Sequence, residues 1–140
     1  MRKKWGISGL IITCALISIN TWAKDNAVIL LYHHVSDSTP KMTSVSPHTF
    51  REHMQHLANH HQVLPLKEVI ETLQHKKPLP DKTVVITFDD GYKNIYENAH
   101  PILKEFSFPY TIFINPPLIG NVSYQLDWQQ VKTMANKGAS

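Results

Sequence analysis

Apolar residues fall in short blocks along this chain, and the blocks differ in period. Ala27 to Tyr32 (AVILLY) and Thr83 to Phe88 (TVVITF) are continuous apolar or β-branched runs. Runs of this length without polar alternation predict strands buried on both faces, as in a parallel sheet. Pro109 to Asn115 (PYTIFIN) predicts a third strand. Between these runs the period changes. Ser46-Pro47 offers a capping hydroxyl followed by a proline suited to a first helical turn, and Phe50, Met54 and Leu57 follow at helical spacing. A second helix is predicted from Leu66 to Gln74, with Leu66, Val69, Ile70 and Leu73 on its inner face; the run Lys76-Lys77-Pro78-Leu79-Pro80 breaks it. Asn94 to Ala99 reads as one helical turn, and His100-Pro101 opens a further helix that continues to Phe106. Asp127 to Lys137 reads as the last helix, with Trp128, Val131 and Met134 along one side and Gly138 at its end.

Apolar strands alternating with helices imply a parallel α/β sheet or barrel, and one domain is the simplest division. In such folds reactive residues gather at the carboxyl ends of strands. His33, Asp89 and Asn115 occupy those positions. Residues 36 to 46 are a Ser/Thr/Pro-rich loop.

The first 23 residues stand apart. Arg2, Lys3 and Lys4 precede an uncharged, mostly apolar stretch from Trp5 to Ile19, and Thr21-Trp22-Ala23 offers a small-residue cleavage site. This is the layout of a secretory signal peptide. An uncleaved membrane anchor and a lipoprotein acylated at Cys14 are the alternatives, weakened by the short span and by Thr13 before the cysteine. The segment also carries the charge excess. Of 14 Lys+Arg and 11 Asp+Glu, three basic residues and no acidic one lie in residues 1–23, so eleven of each remain beyond them. The net positive charge is therefore no evidence for nucleic-acid binding. Cys14 is the single cysteine. Export with no internal disulfide is compatible with a bacterial periplasm or an outer surface.

The run from Thr83 ends abruptly at Asp89-Asp90-Gly91-Tyr92. Like charges side by side at the rim of an apolar element cost stability, so chemistry is the better reason for them, although a solvated Asp-Asp-Gly turn is common. Adjacent acids can divide labour, one holding a divalent metal and the other free as a base for a water that attacks an amide or ester. One carboxylate does not make a zinc site, so imidazoles are needed. His33 and His34, after the first strand, are the best-placed candidates for the pocket. His53, His56 and His60 lie on one helix flank, which is expected to be solvated. His48, His61, His75 and His100 read as surface, loop or capping residues. Trp128 and Tyr124 are able to stack on a sugar, but Trp128 fits a core helix position better, and Tyr110 and Phe113 read as strand core. No Gly-rich phosphate loop or nucleophile elbow is present.

Thr87-Phe88-Asp89-Asp90-Gly91-Tyr92 resembles the first motif of the polysaccharide deacetylases, the family built on the NodB homology domain. Ile29-Leu30-Leu31-Tyr32-His33 resembles the family's opening strand, and Asn98 to Lys104 resembles the segment after the motif. Pro109 to Ile114 is similar to the next family strand, and Leu126-Asp127-Trp128 through Ser140 to the helix before the second motif. The resemblance implies a distorted (β/α) barrel that removes N-acetyl groups from an amino-sugar polymer with a divalent metal, often zinc. Asp89 would be the general base and Asp90 a metal ligand. The substrate would be an N-acetylated polysaccharide, poly-N-acetylglucosamine or a related envelope glycan.

The family's second motif, a His-Ser/Thr-x-x-His pair of metal ligands, normally begins a few residues after the position of Ser140, and no histidine lies beyond His100. Residues 24–140 are therefore expected to be the N-terminal part of such a domain, a partial barrel with little activity alone. A non-catalytic carbohydrate-binding remnant is the alternative. A different metal-dependent hydrolase that completes its site with His33 or His34 is a third reading.

Overall fold

The computed structural model of the protein describes residues 26–140. The expected export segment, with Cys14, lies outside these residues. Ten elements follow in order: β1 (Val28–Tyr32), β2 (His34–Val35), β3 (Ser44–Val45), α1 (Pro47–His60), β4 (Gln62–Val63), α2 (Leu66–Gln74), β5 (Thr83–Phe88), α3 (His100–Phe106), β6 (Thr111–Ile112) and α4 (Trp128–Ala135). Every strand pairing among them is parallel, as the alternation of strands and helices predicts.

Strand β5 is the axis of the fold. All six of its residues are buried. β1 runs along it in register from Val28↔Val84 to Tyr32↔Phe88. On its other edge β4 pairs with its start and β6 with its end. Side chains alternate across a strand, so a strand covered on both faces needs no polar residues. Val84, Ile86 and Phe88 pack with Phe50, Met54 and Leu57 of α1 and with Ile102 and Leu103 of α3, while Val85 packs with Val69 of α2 and Leu79. Thr87 meets its hydroxyl's need by donating to the Leu30 carbonyl at 3.0 Å. Aromatic edges tighten this core: Tyr32 meets Phe50 at 5.0 Å and Phe88 meets Tyr110 at 5.8 Å, both edge-on.

Helix starts follow their sequence signals. The Ser46 hydroxyl accepts from the Thr49 N–H and Pro47 takes the first turn of α1. Asp127 and Gln130 form a reciprocal capping box at α4. Residues 36 to 46 hold more structure than a loop: a short 3-10 turn at Lys41–Thr43 leads into β3, which pairs with β2.

Several expectations are corrected. β1 is an edge strand, so it is not buried on both faces: Val28, Ile29 and Leu31 are each more than half exposed. On α2 only Val69 is buried, and Ile70 and Leu73 are exposed, because β5 takes a single stripe of this short helix. The third strand spans only Thr111–Ile112, and Phe113 is exposed rather than core. Trp128, at the first position of α4, is 48% exposed, because Leu126 and Met134 fill the space below that helix.

His100 is the largest departure. It is buried, and its Nδ1 lies 2.6 Å from the Tyr110 hydroxyl. Tyr96 stacks on its ring. This pair joins α3 to the start of β6, so the histidine is structural. Burial, then Lys104 and Lys137, hold the His100 imidazole below its ordinary range, and the folded state keeps it neutral. The unfolded chain takes up a proton there near pH 6.5, so His100 lowers stability as the pH falls from about 6.5 through its folded value. Burial lowers His34 in the same sense. Tyr110→Phe is expected to cost about 1–3 kcal/mol in urea unfolding at pH 7.5, since it strands a buried ring nitrogen. His100→Gln is expected to reduce, without abolishing, the loss of stability between pH 7.5 and pH 5.

Candidate active site

The two acids sit where β5 leaves the core. Asp89 is half-buried, and its N–H donates to the Tyr32 carbonyl at 2.9 Å, which extends the β1–β5 ladder by one residue. On the other side the Phe113 N–H donates to the Phe88 carbonyl at 2.8 Å. Asp89 is thus gripped through both neighbouring strands. Asp90 is exposed and adopts a left-handed backbone with φ of 69°. Gly91 follows with φ of 67°. Two consecutive left-handed residues reverse the chain within the turn, and aspartate and glycine are among the residues that tolerate this.

Gln125 holds that turn. It is buried, and with its amide nitrogen facing the turn it donates to the carbonyls of Asp90 at 2.6 Å and Gly91 at 2.8 Å. The Leu126 N–H also donates to Gly91 O, at 3.0 Å. A Cβ at Gly91 would stand 3.1 Å from Ile114 Cγ2 and 3.4 Å from Ile119 Cδ1. The space that a side chain needs there is filled by the residues after β6.

His33 and His34 follow β1 and line a cleft of about 240 Å³ with Leu31, Tyr32 and residues Met42 to Val45. His34 stacks on Tyr92, ring centroids 3.8 Å apart. Burial first, then His33, lower the His34 imidazole, and Asp90 pulls it the other way. Burial, with the Asp90 carboxylate next, raises the Tyr92 phenol. These shared influences put His34, Tyr92 and Asp90 in one electrostatic neighbourhood. Tyr92 also lies 6.3 Å from Tyr124, which is 61% exposed.

Two asparagines join the His33–His34 segment to the acidic turn. The Val35 N–H donates to Asn94 Oδ1 at 3.0 Å, and Asn98 Nδ2 donates to the Val35 carbonyl at 2.7 Å. Asn94 Nδ2 also lies 2.9 Å from His34 Nδ1. Asn94 precedes, and Asn98 lies within, a π-helical turn at Ile95–Ala99, a widened turn of a kind frequent at functional sites.

The structure therefore brings Asp90, Tyr92 and His34 together, with His33 in the adjoining cleft and Asp89 at the strand end. Asn115 is exposed in the loop after β6, where its carbonyl accepts from the Leu118 N–H. His53, His56 and His60 are exposed on α1, as expected. Among the described residues no group of three or more His, Cys, Asp or Glu side chains is arranged to hold a metal. Asp90 is one carboxylate, and the partners that a divalent ion needs do not surround it within these residues. Sequence reasoning missed Gln125, Asn94 and Asn98. The four-residue spacing of Asn94 and Asn98 just after the acidic turn is a signal for those two, and no contiguous pattern marks Gln125.

A family model described as polysaccharide deacetylase matches residues 76–140. The YxkH protein of Bacillus subtilis is 38% identical over 80% of this chain and 39% of its own length. The poly-beta-1,6-N-acetyl-D-glucosamine N-deacetylase of Escherichia coli K12 is 30% identical over 86% of this chain and 20% of its own. The chain thus spans less than two fifths of these curated relatives. Among solved structures, the Streptococcus pyogenes deacetylase PplD in complex with acetate aligns with a TM-score of 0.73 at 29% identity, covering 81% of this chain and 54% of that one.

Gly91→Ala is expected to lower stability by about 1–2 kcal/mol from its left-handed backbone, with a further loss from the contact with Ile114. Thermal unfolding of the variant checks this; an unchanged midpoint would contradict the tight turn. Asp90→Asn should leave the midpoint close to wild type, since asparagine tolerates the same conformation.

Proposed function

The chain belongs to the polysaccharide deacetylase family, and we propose that it supplies the acidic half of a hydrolytic centre that removes N-acetyl groups from an amino-sugar polysaccharide. The observation that carries this reading is the Asp89–Asp90 turn. It sets one acid into the rim of the sheet and the other outward, in a conformation braced by Gln125. The named activity of the Escherichia coli relative and the acetate bound to the streptococcal deacetylase support the same class of reaction.

Asp89 is the general base. It takes a proton from a water whose oxygen attacks the acetyl carbonyl carbon; the carbon–nitrogen bond then breaks, the amine leaves with a proton, and acetate departs. A base in this role contributes roughly 10²–10⁴-fold. Asp90 is assigned as one ligand of a divalent metal, zinc first, with its other ligands outside the described residues. Such a metal would supply Lewis acidity at the carbonyl. The distorted (β/α) barrel expected of the family is consistent with β1 as an open edge of a parallel sheet and with residues 138–140 running parallel alongside Tyr110 to Ile112. Export to the periplasm or the cell exterior, and any membrane association through an uncleaved leader, rest on residues 1–23.

A second reading has an observation of its own. Tyr124 and Trp128 are exposed within reach of the acidic turn's neighbours: Tyr124 lies beside Tyr92, and Gly120 faces Trp128. Exposed aromatic faces are able to stack on sugar rings. A non-catalytic glycan-binding role would use this surface without a metal.

The 140-residue chain is expected to bind zinc weakly in calorimetric titration, to lose that affinity in Asp90→Asn and to keep it in Asp89→Asn. Acetate release from an N-acetylglucosamine oligomer should stay near background. Zinc affinity that survives Asp90→Asn would remove the ligand assignment. Glycan affinity that persists in chelator and in Asp90→Ala, and falls several-fold in Tyr124→Ala, would establish the non-catalytic role instead.

A further inference from the structure

The hydrogen bond between Asn94 and His34 decides what His34 is able to do. The orientation of the Asn94 amide is set by an unambiguous donor. The Val35 backbone N–H points at its oxygen, at 3.0 Å. Its nitrogen therefore faces His34 Nδ1, at 2.9 Å. An amide NH₂ only donates, so Nδ1 must present a lone pair. A neutral imidazole that accepts at Nδ1 carries its proton on Nε2. Turning the ring over would place a carbon against the amide and lose the bond, and the Tyr92 ring stacked at 3.8 Å fixes its plane.

A metal-ligating imidazole needs the opposite arrangement. It binds the ion through one bare nitrogen and donates the other N–H to a carbonyl or carboxylate. His34 has a donor where a ligand would have an acceptor. His34 is also half-buried and lines the cleft that His33 shares. Asn98 holds the same segment from the next turn of the helix through Val35, so the register of His34 against Asn94 is fixed by three hydrogen bonds.

We propose that His34 is a fixed Nε2–H hydrogen-bond donor to an oxygen of the bound glycan and is excluded from the metal's ligand set, with Asn94 as the residue that positions it. The identity of the occupant rests on the deacetylase reading; the protonation pattern does not. The proposal also separates His34 from the metal-site reading in which either member of the His33–His34 pair completes the ligand set.

Long-range ¹H–¹⁵N correlation spectra of the full chain test it, with the His34 signals identified by their loss in His34→Gln. Wild-type His34 should show the Nε2–H pattern and keep it when zinc chloride is added. An Nδ1–H pattern, or a zinc-induced loss of the Nε2 proton, would overturn the proposal. Asn94→Asp keeps an acceptor for Val35 but sets a carboxylate oxygen against Nδ1. It should move the proton to Nδ1 and make His34 respond to zinc. A folded Asn94→Asp variant with the wild-type pattern would remove Asn94 from its role. If that variant does not fold, the wild-type spectra with and without zinc decide the matter. Tri-N-acetylglucosamine should shift the His34 Nε2–H resonance. Shifts elsewhere with His34 unmoved would overturn the donor role alone, whereas no shift anywhere would overturn the glycan reading and the donor role with it.

Discussion

Complete burial of β5 is the constraint on which the rest of this structure depends. A strand covered on both faces and paired on both edges has no freedom in register, because a slip of one residue would exchange its two faces. Here Val84, Ile86 and Phe88 belong to one apolar cluster and Val85 to another. The end of the strand is fixed with the same precision, and so is the point at which the chain meets water. Asp89 and Asp90 stand at that point. Their positions follow from the packing of six residues that have no chemistry of their own.

The price of ending such a strand in two acids appears in the turn. Two left-handed residues in succession are costly for any side chain, and a buried glutamine brought in from more than thirty positions later grips both carbonyls. The clasp on the other side is built from two asparagines that reach Val35 from a widened helical turn. Both devices satisfy backbone groups that the sheet leaves open, which a buried chain must do somewhere. They also hold the acids and the His33–His34 segment in one place. Structural necessity and site geometry are met here by the same hydrogen bonds.

Much of the scaffold was legible. Ser46-Pro47 announces α1, and the run Thr83–Phe88 is β5 to the residue. These signals are local: a cap bonds to residues three positions away, and a continuous apolar run has few alternatives. The errors share a cause as well. Val28, Ile29, Leu31 and Trp128 are apolar and sit in strands or helices, and Phe113 directly follows a strand, yet all are exposed. Whether an apolar residue is covered depends on which neighbours the sheet order supplies, and β1 lies at an edge. His100 erred in the opposite direction, because only the approach of Tyr110 makes a buried imidazole tolerable.

The sequence by itself determined the elements, their alternation, the acidic pair at a strand end and the family to which that pair belongs, since each is written in contiguous residues. Tertiary structure decided what the side chains around the pair do. Gln125 reads as an ordinary polar residue until the turn places two carbonyls against it. His34 reads as a candidate metal ligand until Asn94, sixty residues away, offers it a donor. A hydrogen bond between distant segments fixes protonation and orientation together, and its partners become known only when the fold brings them within 3 Å.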